Sequence, residues 1–482
     1  MINKHIVNLF ALDYSKRLLI FDLTGFSGSC DYTVLLKENE FDIFYYTNVE
    51  EFRILYEEQL KENQCNIAVV VKEKIYVPYD IRKSFRNVDL SLSKVFPKLN
   101  EGVLLDFSRD LGLIGYAYDS CYTDNSTPKQ TQTFLNETVF KESVIANYCQ
   151  VKSNALSEQC LTTHRYTDWL DIAKEVAEVR YYAAKYDVSV DFSSLDDEFE
   201  VYINENYNKL SSEINSDFPP IITKTLDVIC GERSEKTALI IMDGMSLFDF
   251  EIISRRFSGI SYKYDCSYAM IPTTTSISRQ SLLSGKYPQE LDKPFSLSNE
   301  EKEFFAAAES HGYAGNQVMY SRDYEPDIRA FTKLITIIVN DIDEIVHGQK
   351  QGRAGMYNDM ELLGKTGKLQ NLIKHLYKQE FNVFITSDHG NTPCVGVGSF
   401  RSGIEIETRS ARMAVMKDFA EKNELLEQNT TKYPGYYLDK SYQYYICNHG
   451  KSFDARGKLV MTHGGISLDE IIVPFIKITG VD

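Results

Sequence analysis

The chain has 482 residues, 43% of them hydrophobic and 25% charged, which is the composition of a folded protein with about two to four domains. Its 52 basic and 69 acidic residues give a net charge of −17, which excludes a global attraction to nucleic-acid backbones or anionic membranes. Nine scattered cysteines without a CxxC pair argue against a disulfide framework and against a cysteine zinc site.

The N-terminal region, residues 1–105, is predicted to form a small α/β domain. Its first residues lack the uninterrupted apolar run of a signal peptide. No stretch of the chain reaches the roughly 18 apolar residues of a membrane span, so we expect a cytoplasmic protein without membrane contact. Three β-rich runs alternate with helical patterns such as that over 49–62, as in a parallel α/β sheet; the runs are RLLIFDL, FDIFYYT and NIAVVV.

Residues 106–225 are predicted to form a mainly helical connecting region. Strand signals fade there, and helical periodicity covers 167–186 and 196–214. Pro219 and Pro220 mark a break before the next domain.

The third region, residues 226–482, alternates strand-like runs with polar turns and helical patterns. The runs are TALIIMDGMS, LITIIVNDID, NVFITSDHGN and KLVMTHGGIS, with IIVPFIKI after them. This alternation predicts an α/β fold with a mostly parallel sheet and helices on both faces. Ligands of such folds bind beyond the carboxyl ends of the strands.

Acidic and histidine side chains follow these strand-like runs, at the predicted ligand-binding edge. They are Asp243, Asp343, Asp388, His389 and His463. A single aspartate after a strand is more often a cap or a turn residue, but the set together favours a metal site. His347 joins the set because it lies four residues after Asp343, on the same face of a helical turn. Mixed oxygen and nitrogen ligands favour zinc or manganese over calcium, and six ligands suit two ions.

A run of hydroxyls precedes a predicted helix that ends at Gly285. The run lies in MIPTTTSISRQSLLSGKYP and comprises Thr273, Thr274, Thr275 and Ser276. One interpretation is an N-cap, the common role of a hydroxyl at a helix start. The other is a nucleophile, because a nearby dication and the helix N-terminus would lower the pKa of a hydroxyl and attract phosphate oxygens. The residues alone leave both interpretations open.

Five motifs in this order resemble the PglZ domain of the alkaline phosphatase superfamily: MDGMS, IPTTTSISRQSLLSGKYP, DIDEIVHG, TSDHGN and THGGISLDEIIVPF. The resemblance covers roughly residues 230–480. The N-terminal region resembles, more loosely, the segment that precedes the catalytic domain in longer PglZ proteins. The family implies an alkaline-phosphatase-like fold, two metal ions that are usually zinc, and a threonine or serine that attacks a phosphate ester.

Carried onto this chain, the resemblance implies two ligand sets: Asp343, His347 and His463 for one ion, and Asp243, Asp388 and His389 for the other. The family's nucleophile lies three residues after a proline and ten before a glycine. Counting from Pro272 and from Gly285 gives Thr275, with Thr274 as the fallback. Arg279, one helical turn after Thr275, would hold a phosphate oxygen of the substrate; the alternative is a solvated side chain.

The function that the resemblance implies is a metal-dependent phosphodiesterase acting on nucleotides or oligonucleotides through a phosphothreonine intermediate. A phosphomonoesterase or phosphomutase would use the same ligands and stays open. PglZ proteins are constituents of BREX-type phage-defence systems, so a third interpretation is an interaction component with defence-system proteins as partners. Every implied metal and nucleophile position holds a competent residue, which favours an enzyme.

Overall fold

The computed structural model describes residues 2–26, 30–399, 411–417 and 424–482. The chain divides into two compact units, Met1–Tyr148 and Cys149–Asp482. The division into three parts with boundaries at 105 and 225 stays a prediction. None of the described helices combines the length and the apolar character needed to cross a bilayer.

The first unit contains a four-stranded parallel sheet in the order β2-β3-β1-β4. Its strands are β1 (Arg17–Phe21), β2 (Phe41–Tyr45), β3 (Asn66–Val71) and β4 (Arg86–Asp89). The helices are α1 (Ile2–Phe10), α2 (Tyr32–Glu38), α3 (Val49–Leu55), α4 (Tyr79–Lys83), α5 (Leu92–Val95), α6 (Glu101–Asp106), α7 (Leu111–Tyr118) and α8 (Pro128–Phe134). The three strand-like runs predicted in this region lie in β1, β2 and β3.

Local sequence explains how the helix pattern over 49–62 folds. The Asn48 side chain caps α3 by accepting a hydrogen bond from the backbone N–H of Glu51. After α3 the chain continues as one π-helical turn, Tyr56–Leu60. Phe52 and Leu60 from this segment pack with Leu19 and Val69 of the sheet in one hydrophobic core. The apolar face of the helix is therefore buried against the sheet, which stabilises both elements.

Helices follow in sequence: α9 (Glu142–Cys160), α10 (Tyr166–Lys185) and α11 (Ser193–Asn206). All of residues 106–225 are described, and they form helices and turns without a strand of their own. The two predicted helical patterns correspond to α10 and α11, which pack through Trp169 against Phe199 and Tyr202.

The second unit contains the remaining strands: β5 (Thr237–Met242), β6 (Ile260–Tyr268), β7 (Val318–Ser321), β8 (Leu334–Val339), β9 (Asn382–Thr386), β10 (Thr392–Gly396), β11 (Met413–Lys417), β12 (Thr430–Tyr433), β13 (Tyr442–Cys447), β14 (Lys451–Ser452), β15 (Leu459–Thr462) and β16 (Ile472–Val481). Its further helices are α12 (Thr225–Gly231), α13 (Leu247–Ser254), α14 (Thr275–Ser284), α15 (Glu300–Ser310), α16 (Asp341–Gly348), α17 (Gly352–Thr366), α18 (Lys368–Lys378), α19 (Glu424–Asn429) and α20 (Leu468–Ile471).

Within the described residues, the main sheet has six strands in the order β6-β16-β9-β5-β8-β7. Strands β9, β5, β8 and β7 are parallel neighbours, while β16 runs antiparallel to β9 and to β6. Strands β5 and β8 are buried along their whole length, which is why their sequences are continuous apolar runs rather than alternating ones. The predicted α/β fold class with a mostly parallel sheet is confirmed.

Two small sheets accompany the main one, in the orders β14-β10-β15 and β11-β13-β12. The run KLVMTHGGIS contains strand β15, but β15 lies outside the main sheet and pairs antiparallel with β10. The register of that pair sets Thr462 opposite Thr392. The residue after β15 therefore lies next to the turn between β9 and β10, instead of at the end of a main-sheet strand.

The central position of β5 predicts a large stability cost when its core is truncated. Leu239 of β5 is 0% exposed, whereas Leu362 of α17 is 66% exposed. We expect Leu239→Ala to lower the free energy of unfolding by about 2–5 kcal/mol, because it removes buried methyl groups and leaves a cavity. Leu362→Ala, the same substitution at an exposed position, should change it by less than about 0.5 kcal/mol. Urea unfolding followed by circular dichroism measures both, and equal effects would contradict this account of the core.

Candidate active site

Three neighbouring parallel strands bring acidic side chains to one edge of the main sheet. Asp243 follows β5, Asp343 lies in the first turn of α16 after β8, and Asp388 follows β9. Because β9, β5 and β8 are adjacent and parallel, their carboxyl ends meet at the same edge. The later strands β8 and β9 lie on opposite sides of β5, so the strand order reverses at β5. Open α/β sheets form a ligand crevice at such a position.

The first ligand group consists of Asp343, His347 and His463, whose ligand atoms all lie within 4.8 Å of one another. Helix α16 holds the first two residues on one face, with His347 Nε2 3.2 Å from Asp343 Oδ1. His463 follows β15 and brings its Nε2 to 3.5 Å from the same oxygen. Two histidine nitrogens therefore converge on one carboxylate oxygen.

The second ligand group consists of Asp243, Asp388 and His389, which are all buried and lie within the same 4.8 Å limit. His389 Nε2 lies 3.8 Å from Asp243 Oδ1 and 3.9 Å from Asp388 Oδ2. The ring of His389 stacks on that of His463, with the ring centroids 4.2 Å apart. The two groups are therefore neighbours, and together they contain all six predicted metal-ligand positions.

Backbone hydrogen bonds fix the tautomers of the two stacked histidines. His463 Nδ1 lies 2.9 Å from the carbonyl oxygen of Thr273, and His389 Nδ1 lies 3.1 Å from that of Gly390. A carbonyl can only accept, so each neutral ring carries its proton on Nδ1. Each Nε2 is then the unprotonated nitrogen and faces the carboxylates, which is the orientation that metal-binding histidines adopt.

The site concentrates negative charge away from water. Burial and the neighbouring Asp388 carboxylate raise the pKa of Asp243 well above its usual value. Burial raises the pKa of Asp388 to about 6. It lowers the pKa of His463 to about 3, so this imidazole is neutral at pH 7. The shifts of Asp243 and Asp388 reflect the cost of burying carboxylate charges, a cost that bound cations would relieve.

The donor atoms fit a pair of divalent ions. Asp243 Oδ1 and Asp388 Oδ2 are buried and have no hydrogen-bond partner among the described residues. Buried carboxylate oxygens are normally paired, and a bound ion would account for two such exceptions in one group. Oxygen and imidazole donors suit zinc or manganese, and neither ligand group includes a thiolate.

The hydroxyl run lies beside the second ligand group. Thr275, the first residue of α14, is 7% exposed, and its Oγ1 lies 3.0 Å from His389 Nε2. Since that nitrogen is unprotonated, the Thr275 hydroxyl donates this hydrogen bond. Thr274 is the N-cap residue of α14, and its buried Oγ1 has no hydrogen-bond partner in the described chain. The structure therefore places the first-choice nucleophile, rather than the fallback, against a predicted metal ligand.

Arg279 is buried, so the interpretation of a solvated side chain is wrong. Only 1% of it is exposed. Its Nη1 donates to Asp243 Oδ2 at 2.5 Å and its Nε to Glu300 Oε2 at 2.7 Å. Burial acts to lower the pKa of the guanidinium, but the Asp243 and Glu300 carboxylates outweigh it and raise that pKa. The role of Arg279 in binding a phosphate oxygen stays a prediction.

Two buried acids near the site are not among the predicted site residues. One is Glu300, the partner of Arg279. The other is Glu470, whose carboxylate accepts from Gly465 N and from Ser467 Oγ and pairs with Arg412 at 3.1 Å. Glu470 thereby holds the turn that follows His463. A capping-box pattern, Ser467 with Glu470 three residues later, is the one local sign that could have drawn attention to it.

A family model of known proteins matches the region that contains these residues. The model of the family described as "BREX system PglZ alkaline phosphatase-like domain" matches residues 225–478, more than half of the chain and all of the residues above from Asp243 to Glu470. No curated protein matches the chain.

Solved structures that resemble the chain do so at low identity. Murine ectonucleotide pyrophosphatase/phosphodiesterase 5, an inactive variant in complex with AMP, is 13% identical with a TM-score of 0.35, over 50% of this chain and 87% of that chain. The human protein of the same name is 15% identical with a TM-score of 0.35, over the same shares. Phosphonoacetate hydrolase from Sinorhizobium meliloti 1021, in complex with phosphonoformate, is 12% identical with a TM-score of 0.33, over 51% of this chain and 90% of that chain.

Gly390, directly after His389, offers a test of how tightly the site is built. A Cβ atom there would lie 1.9 Å from the backbone carbonyl oxygen of Asp469. We expect Gly390→Ala to displace the turn that carries Asp388 and His389. The variant should bind at most half as much zinc per chain as the wild type and should have a lower melting temperature. Gly231→Ala is the control, because a Cβ at Gly231 meets nothing within 4 Å. Full zinc binding by Gly390→Ala would contradict this geometry.

Proposed function

Because this chain belongs to the PglZ family of alkaline phosphatase-like domains, we propose that it is a two-metal phosphoester hydrolase. The most specific form of the proposal is a phosphodiesterase that acts on nucleotides or oligonucleotides. The observation that carries it is the position of the Thr275 hydroxyl, 3.0 Å from His389 Nε2 at the edge of the two adjoining ligand groups. A hydroxyl at that point could attack a phosphorus whose oxygens face both groups.

Thr275 would act as the nucleophile from the first residue of α14. Divalent ions held by the two ligand groups would lower the pKa of the hydroxyl and neutralise the charge of the phosphate. The hydrogen bond to His389 orients the Thr275 oxygen, and burial of the residue keeps competing water away from it. The N-terminus of α14 presents backbone N–H groups and a partial positive charge to the phosphate oxygens.

The reaction would then follow a double displacement. Thr275 Oγ1 forms a bond to phosphorus while the ester bond to the leaving oxygen breaks, and the leaving alcohol takes up the proton that the hydroxyl gave away. Water next attacks the phosphothreonine, which releases a phosphomonoester and restores the hydroxyl. The net reaction consumes one ester bond and one water.

We further propose a role in bacterial phage defence, because the description of the matched family names the BREX system. Proteins of such a system would be its partners. An acidic chain of net charge −17 favours small phosphoesters over long duplex DNA as substrates, since it offers no global attraction to a polyanion.

The nucleophile is tested by two neighbouring threonines of the same run. We expect Thr275→Ala to lower kcat for bis(p-nitrophenyl) phosphate by about 10³-fold or more, because the attacking oxygen is gone. Thr274→Ala should stay within about tenfold of the wild type, because the Thr274 hydroxyl makes no side-chain cap bond. Full activity of Thr275→Ala, or no phosphothreonine in mass spectra of rapidly quenched wild type, would contradict the mechanism.

The same assay separates the competing functions. Faster hydrolysis of bis(p-nitrophenyl) phosphate than of p-nitrophenyl phosphate is expected for a phosphodiesterase. The reverse ranking would replace this proposal with a phosphomonoesterase or phosphomutase. Turnover of neither ester by metal-loaded protein would favour an interaction component of a defence system.

The metal ligands are tested by two aspartates of helix α16. Asp343→Asn should lower the zinc content from about two ions per chain to about one, because it weakens one ligand group only. Asp341→Asn should leave it unchanged, since Asp341 accepts a hydrogen bond from the Tyr324 hydroxyl and belongs to neither group. Mass spectrometry of the metals in purified protein measures both. A chain that binds no zinc and no manganese would overturn the proposal.

A further inference from the structure

A chain of buried ionic contacts reaches the second ligand group from helix α15. Glu300, the first residue of that helix, is 1% exposed. Its Oε2 accepts from Arg279 Nε at 2.7 Å, and Arg279 Nη1 in turn donates to Asp243 Oδ2. Glu300 is therefore two contacts away from the ligand atoms and touches none of them.

The other oxygen of Glu300 is occupied as well. Its Oε1 accepts from the hydroxyl of Tyr320 and from Nη2 of Arg322, the latter at 3.0 Å. Tyr320 lies in β7 and Arg322 directly after it, so both are anchored to the edge strand of the main sheet. With both oxygens bound from fixed elements, the Glu300 carboxylate has one orientation. That orientation determines where the Arg279 guanidinium can lie.

This arrangement gives the two carboxylate oxygens of Asp243 different surroundings. Oδ2 is taken by Arg279, while Oδ1 has no hydrogen-bond partner among the described residues and lies 3.8 Å from His389 Nε2. A guanidinium beside a carboxylate tends to form a two-bond fork that uses both oxygens. Here the Nε of Arg279 is turned toward Glu300, and the fork does not form.

We propose that Glu300 is a positioning residue that holds Arg279 on a single oxygen of Asp243 and so keeps Asp243 Oδ1 available to a metal ion. The inference rests on the proposed function, because it takes Asp243 to be a metal ligand. The position of Arg279 also bears on the charge balance of the second ligand group. That group contains two carboxylates where the first contains one, and Arg279 offsets the additional negative charge.

Replacing Glu300 by glutamine tests the proposal with a side chain of the same shape. Without the Glu300 charge, Arg279 is balanced by Asp243 alone and would fork onto both of its oxygens. We expect the zinc affinity of one of the two sites in Glu300→Gln to fall at least tenfold, and that of the other to stay within threefold of the wild type. Competition with a chromophoric chelator on metal-stripped full-length protein measures both affinities.

Glu303→Gln is the matched control on the same helix. Glu303 is 9% exposed and also pairs with a basic side chain, Lys286, but it does not contact Arg279 or either ligand group. Both zinc affinities should stay within threefold in this variant. An equal loss of zinc affinity in Glu300→Gln and Glu303→Gln would overturn the proposal, since it would mean that helix α15 acts only by general stability.

Two further variants keep the test decisive. Arg279→Met combined with Glu300→Gln removes the competing guanidinium. In this double variant, the zinc affinity of the site that Glu300→Gln weakens should recover to within threefold of the wild type, and no recovery would overturn the proposal.

If Glu300→Gln does not fold, Tyr320→Phe replaces it, because this change removes one hydrogen bond to Glu300 Oε1. Tyr320→Phe should lower the zinc affinity of the same site two- to fivefold, and no change would overturn the proposal. Wild-type protein that binds no zinc or manganese would instead overturn the proposed function.

Discussion

The structure of the second unit depends on one electrostatic constraint, the burial of three carboxylates at a single edge of a parallel sheet. Asp243, Asp343 and Asp388 reach that edge because β5, β8 and β9 are adjacent and parallel. Like charges in a buried site are unstable unless cations or hydrogen-bond donors balance them. Several neighbouring groups contribute to this balance. Arg279 pairs with one carboxylate, histidine nitrogens lie near all three, and the remaining oxygens fit two divalent ions.

Much of this site could be predicted from the sequence because its ligands follow strand-like runs. Continuous apolar runs indicate buried parallel strands, and the acids that follow them must meet at one edge, as Asp243 and Asp388 do. The four-residue spacing of Asp343 and His347 is equally local, and α16 has the helical geometry that it predicts. The family motif favours Thr275 over Thr274 as the nucleophile, because the residues alone allow either hydroxyl to be the helix cap.

Other parts could not be predicted, because they depend on contacts between distant residues. His463 is among the expected ligands, but its route to the first ligand group, through the pairing of β15 with β10, is not revealed by any local pattern in KLVMTHGGIS. Glu300 begins an ordinary acidic helix, and its role depends on an arginine 21 residues earlier in the chain. Likewise, helix α10 carries Arg180, which binds Asp469 of helix α20, next to Gly390. The sequence predicts this helix from its periodicity but does not show what the buried Arg180 contacts.

Because His463 follows a strand of a separate small sheet, we expect the two ligand groups to differ in how fast a bound ion exchanges. Asp243, Asp388 and His389 all follow central strands of the main sheet and are buried, whereas the first group relies on a small three-stranded sheet and on His347, whose side chain is 21% exposed. Local opening of a protein starts where contacts with the core are fewest. Separation of β15 from β10 would remove one ligand of the first group and none of the second. An ion in the first group would therefore exchange with the surrounding solution faster than its neighbour.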